Sequence, residues 1–251
     1  MSVLTLLLLV LLGAVIGALG GLFGIGGGLI AIPILGLAFG MDQQLAQGTA
    51  IVMVVPNVLL GLWRNYQLGN LNPKSALILA ASAVLFTYLA ALFALSLDPA
   101  TLRIAFALFV LAIAFQFLLR TLQKAKPGTV AASIHRGWLV LVGAMGGAIS
   151  GLFGIGGAVF APPVLTGLFA MRQAVAQAHA LALVAPGTLV ALTTYAVHDE
   201  VDWRFGIPLA IGGALSVSYG VRLAHRLPEK TLRLAFCGLL FATAVVLIAF
   251  L

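Results

Sequence analysis

Two glycine clusters carry the chemistry of this sequence. Gly24, Gly26, Gly27 and Gly28 lie in GLFGIGGG from Gly21, and Gly154, Gly156 and Gly157 lie in GLFGIGGA from Gly151. Glycine has no Cβ, reaches left-handed backbone freely and costs about 1 kcal/mol relative to alanine inside a helix. A cluster of glycines therefore breaks a helix. In lipid the freed N–H and C=O groups persist only where protein buries them or a cavity receives them. The helix that resumes after each break offers unpaired N–H groups and the positive end of its dipole, which suits a small anion. A single glycine reads equally well as a close-packing residue. Two identical seven-residue clusters, followed at equal spacing by Pro33 and Pro163, favour the broken helix.

Polar residues follow each break. Gln43, Gln47 and Thr49 correspond to Gln173, Gln177 and His179, and the i to i+4 spacing stacks each glutamine pair on one helix face. Asn57, after Pro56, is a weaker contact candidate, and Gly187 stands at its matching position. An ionisable residue inside an apolar run is a functional candidate by default, so His179 suggests proton coupling or a charged contact to an anion. A neutral imidazole bonded between helices is the competing reading. Arg64 and Arg222 lie near helix ends, where snorkelling explains them. The four histidines lack metal-ligand spacing, Cys237 stands alone, and neither a Ser, His and Asp set nor a carboxylate pair lies in an apolar run. No metal, no cofactor and no enzyme activity is expected.

The elements that must position these groups are membrane helices. Of 251 residues 63% are hydrophobic and 8% charged, with a mean hydropathy of +1.19, whereas soluble domains are roughly 25% charged. The apolar residues come in blocks of about 20, the length of a spanning helix. The block from Val3 lacks a basic leader and outruns signal-peptide length, so it is read as a retained helix. Helices are expected over residues 3–22, 27–39, 44–64, 74–96 and 101–120, then 137–152, 157–169, 174–196, 204–224 and 231–251. The second helix of each series is too short to cross alone. Trp63, Tyr66, Trp138, Tyr195 and Trp203 fit an interfacial aromatic belt, as well as ordinary helix-end packing.

The chain is a tandem duplication. An offset of 130 maps the first cluster on the second without a gap, and residues 21–56 match 151–186 at 18 of 36 positions. The repeats are 1–120 and 137–251, joined by a cytoplasmic linker at 121–136. Lysine and arginine favour the cytoplasmic side. If the repeats are inverted, 11 of the 13 basic residues lie inside and only Arg103 and Arg204 outside; parallel repeats leave 7 against 6. The fold expected is therefore an all-α polytopic membrane protein of two inverted repeats, each a Gly-broken hairpin followed by three transmembrane helices, with both termini outside. The net charge of +7 reports orientation rather than nucleic-acid binding.

GLFGIGGGLIAIP and GLFGIGGAVFAPP resemble the duplicated G-x-x-G-I-G-G-G-x-x-x-x-P signature of the sulfite exporter TauE/SafE family, also called the toluenesulfonate uptake permeases, and the resemblance covers nearly the whole chain. It implies transport of sulfite, sulfonates or other small sulfur-containing anions across the bacterial cytoplasmic membrane; the residues alone imply only a small anion. The family pattern places a small hydroxyl residue where GTA has Thr49, and His179 in AHA departs from it. The expected function is secondary transport by alternating access, since no GxxxxGK[ST] motif is present. An anion channel and a non-transporting membrane scaffold are the alternatives. Lipid surrounds the chain, and proton coupling and homo-oligomerisation are both compatible with the sequence.

Overall fold

A computed structural model describes residues 3–67, 69–122, 136–155, 157, 159–169, 171, 173–224, 226–227 and 229–249. Among them all regular structure is helical: α1 (Val3–Phe23), α2 (Gly28–Phe39), α3 (Gln43–Gln67), α4 (Pro73–Ser96), α5 (Pro99–Leu122), α6 (Arg136–Phe153), α7 (Ala161–Phe169), α8 (Gln173–Val197), α9 (Trp203–Ala224) and α10 (Glu229–Ala249). These follow the expected segments within a few residues, with one correction. The helix expected from residue 157 begins at Ala161, after a turn in which the Gly157 carbonyl accepts from the Phe160 and Ala161 amides. Pro162 and Pro163 then sit in the first turn of α7, where a missing N–H costs nothing.

The repeats interlock rather than stand side by side. Helix α1 lies along α9, and its counterpart α6 lies along α4. Gly13, Gly17 and Gly21 face Leu209, Gly213 and Val217, while Gly143, Gly147 and Gly151 face Leu79, Ala83 and Thr87. A Cβ at any of these six glycines would overlap backbone of the partner helix. In lipid, helix association rests on such close packing. Both pairings advance in step, so each pair runs parallel. Helices α3 and α8 instead run antiparallel: Tyr195, late in α8, bonds Gln47, early in α3, and Gly61, late in α3, meets Leu181, early in α8. The main apolar cluster accordingly mixes the repeats, with Ile16, Leu29 and Met53 beside Phe153, Ile155 and Leu209.

Helices α1, α3, α4, α5, α8 and α9 are long and apolar enough to cross a membrane, whereas α2, with 12 residues, is short. Their outward faces are apolar, as at Leu4, Leu7, Leu8 and Leu11 on α1 and Leu85, Leu89 and Phe93 on α4. The protein is a multi-pass membrane protein. Trp63, Tyr66, Trp138 and Trp203 are exposed, as a belt requires. Tyr195 is the exception: it is fully buried and belongs to the core, on the α8 face it shares with Thr188 and Ala191.

Candidate functional site

Each glycine cluster ends one helix and starts another. Helix α1 closes when Gly24 turns left-handed, φ 72°, and the Ile25 amide reaches back to the Gly20 carbonyl at 3.0 Å. Gly26 and Gly27 follow at φ 71° and 96°, and the Gly27 carbonyl caps α2 by accepting from Ile30 and Ala31. Residues with a Cβ avoid such angles. The second cluster repeats the device: Gly154 is at φ 66°, its amide bonded to the Ser150 carbonyl, and Gly157 is at φ 48°. Gly156 lies outside the described residues. Among the described residues, the amides of Gly26, Gly27, Gly28 and Leu29 have no acceptor. The break therefore offers donors at a buried point where water does not compete.

The two breaks meet. A methyl on Gly28 would lie 3.3 Å from the Gly154 carbonyl oxygen and 3.4 Å from the Ile155 Cα. Each break also faces the glutamine of the opposite repeat: a methyl on Gly24 would lie 2.7 Å from Gln177 Nε2, and one on Gly154 would lie 3.2 Å from Gln47 Cβ. Asn57 ties α3 to the first break, its Nδ2 donating to the Gly26 carbonyl at 3.0 Å. Tyr195 ties α8 to α3, its hydroxyl donating to Gln47 Oε1 at 2.8 Å with the Gly151 carbonyl at 3.3 Å. Gln47 Nε2, Asn57 Oδ1 and Ser150 Oγ are buried without partners. Each such group costs about 1–3 kcal/mol, a cost that a polar ligand removes. Gly24, Gly26, Gly27, Gly28, Gln47, Asn57, Gly154, Gly157 and Gln177 thus share one region.

Thr49 and His179 lie elsewhere, at the two turns that connect the long helices. Thr49 Oγ1 accepts from the Asp202 amide, 2.9 Å away, in the turn between α8 and α9. His179 borders the turn between α3 and α4. Its Nδ1 bonds the Val175 carbonyl at 2.8 Å, and its Nε2 is buried without a partner. The α8–α9 turn is acidic. Burial pushes the Glu200 carboxyl above its ordinary value, and the charges of Asp42 and Asp199 add to the rise, against a smaller opposite effect of His198.

Sequence reasoning did not find Tyr195, Thr87 or Ser150. Thr87 Oγ1 donates to the Gly147 carbonyl and lies beside Gly187, as does Ser150. A signal was available for Tyr195, which falls on the small-residue face of α8; none was available for the other two.

Comparison with known proteins follows the same line. The family model described as sulfite exporter TauE/SafE matches residues 9–247. A probable membrane transporter protein of Methanocaldococcus jannaschii is 28% identical over 93% of this chain and 91% of its own length. One of Xylella fastidiosa is 31% identical over 90% of this chain and 87% of its own length. The Bacillus subtilis probable membrane transporter protein YunE is 22% identical over 90% of each. No solved structure matches the chain. A match over almost every residue, on a helical chain whose signature glycines build its central breaks, places the protein: it belongs to the sulfite exporter TauE/SafE family of membrane transporters.

Proposed function

We propose that this protein carries a small sulfur-containing oxyanion, of the sulfite or sulfonate kind, across the bacterial cytoplasmic membrane by alternating access. The observation that carries the reading is the meeting of the two breaks, where unpaired amides and the Gln47 Nε2 donor gather. Donors fixed in a buried site hold an anion without a counter-charge. The substrate class comes from the family's description. Counterflow in proteoliposomes tests the reading: external sulfite or thiosulfate accelerates efflux of internal labelled substrate, whereas a pore shows no acceleration and a scaffold no flux. In detergent, a substrate at a hundred times its Kd stabilises the fold by about 2.7 kcal/mol. A Tm unmoved by sulfite, thiosulfate, taurine and sulfoacetate refutes the proposal.

Inverted repeats, 1–120 and 137–251 around the linker at 121–136, give the two access routes. The antiparallel course of α3 and α8 supports inversion, as does the basic-residue count, which inversion divides 11 against 2 and a parallel arrangement 7 against 6. In this orientation the α3–α4 turn is cytoplasmic and both termini are external. Single cysteines replacing Lys74 and Arg226 then react from the cytoplasmic face, and those replacing Asp98 and His198 from the outside. Labelling of Lys74→Cys and Arg226→Cys from opposite faces overturns the inversion.

A further inference from the structure

The turns at the two ends of the molecule are copies of one another, and their differences point to a second site. Gly69, φ 69°, answers Asp199, φ 61°. The Gly69 amide bonds Tyr66 and the Asp199 amide bonds Ala196; Asn70 bonds Asn65 and Glu200 bonds Tyr195. Asn72 caps α4 through Oδ1, and Asp202 accepts from the Arg204 amide in the same way. The backbone is one shape used twice.

The α8–α9 turn is sealed against α3. Gly48, with no Cβ, lets the Glu200 carbonyl seat directly on the helix, and Thr49 holds the Asp202 amide. In the other repeat Ala178 and His179 replace Gly48 and Thr49. A methyl stands where the close seat needs none, and the larger imidazole stands where the hydroxyl was. A broad, open depression of about 670 Å³ lies there, lined by Asn70, Asn72, Lys74 and His179 among others. The charges change too, since Asp199, Glu200 and Asp202 become Gly69, Asn70 and Asn72, while Arg204 remains basic as Lys74. The sealed mouth repels anions. The open one carries a cation and the first turn of α4.

The ligand is specified by His179. A carbonyl only accepts, so Nδ1 donates to Val175, and in the neutral tautomer with that proton Nε2 is left as an acceptor. That atom is buried, in a residue 1% exposed, and unpartnered. We infer that the depression beneath the α3–α4 turn is a mouth site selecting small oxyanions that bring their own hydrogen-bond donor, the anionic group on Lys74 and the donor on His179 Nε2. Monoprotonated sulfite and hydroxy- or aminoalkanesulfonates share that chemistry. This rests on the transport reading above.

Matched sulfonates test it in detergent-solubilised full-length protein. 2-Hydroxyethanesulfonate binds at least about fivefold tighter than ethanesulfonate, the ratio that one net hydrogen bond supplies. His179→Gln keeps the preference, because its amide oxygen accepts; His179→Phe abolishes it while the protein still binds both. Lys74→Ala weakens both ligands. Equal affinities in the wild type, or a preference surviving in His179→Phe, overturn the site and leave the transport reading standing. Binding of neither sulfonate counts against the transport reading itself.

Discussion

Gly26→Leu inserts into the membrane and loses nearly all of its flux. The backbone at Gly26 stands at φ 71°, a conformation that costs an L-residue about 1–2 kcal/mol. A Cβ there would also lie 3.1 Å from Val54 Cγ1 and 3.2 Å from Val58 Cγ2, and the remaining leucine carbons have to displace α3 or the break. Overpacking adds roughly 1–3 kcal/mol. The sum is smaller than the 5–15 kcal/mol that holds a typical fold together. The protein therefore folds, but relieves the strain by drawing the break towards helix, which takes Gly26 from Asn57 and pairs the free amides. Flux in proteoliposomes falls by about a hundredfold or more, the loss of roughly 2.7 kcal/mol of substrate stabilisation. Gly40→Leu is the control. It meets the same backbone strain at φ 67° with nothing within 4 Å of its Cβ, and it keeps near wild-type flux. Equal flux in the two variants removes the break from the transport path.

The sequence showed the breaks because glycine clusters have few uses inside lipid, and showed the duplication because its letters are kept. It showed the helices because nearly all of them end near a proline, a glycine or a charge. It does not separate Thr49 and His179 from Gln47 and Gln177. All four read alike as polar residues after a break, yet a step of two residues turns a side chain about 200° around a helix, to the opposite face. The glutamines face the breaks and their neighbours face the end turns. Gly48 reads from letters only as part of GTA, and its packing role appears once the α8–α9 turn is seen resting on it. Tyr195 fits the belt rule and helix-end packing equally from letters alone, and only the structure reveals that its hydroxyl reaches across to the other repeat.

That reach makes Gln47 the side chain with the largest expected effect on substrate binding. The Tyr195 hydroxyl occupies Gln47 Oε1, so the amide is held with Nε2 as the remaining donor, buried and unpartnered beside Gly154. Charge-assisted hydrogen bonds contribute about 1.5–3 kcal/mol, so Gln47→Leu raises the substrate KM by roughly ten- to a hundredfold. Tyr195→Phe leaves the donor in place but frees the amide to rotate, and the loss is smaller, about fivefold, from the cost of ordering it again. The two residues act as one unit. Combining Tyr195→Phe with Gln47→Leu therefore costs no more than Gln47→Leu alone, because an amide that is gone needs no orienting. Gln47→Glu goes further than Gln47→Leu, since a carboxylate in the same place repels the anion and lacks the donor. Independent, additive losses in the double variant show that Tyr195 serves the fold and not the donor. An unchanged KM in Gln47→Leu moves the substrate away from the meeting point of the breaks.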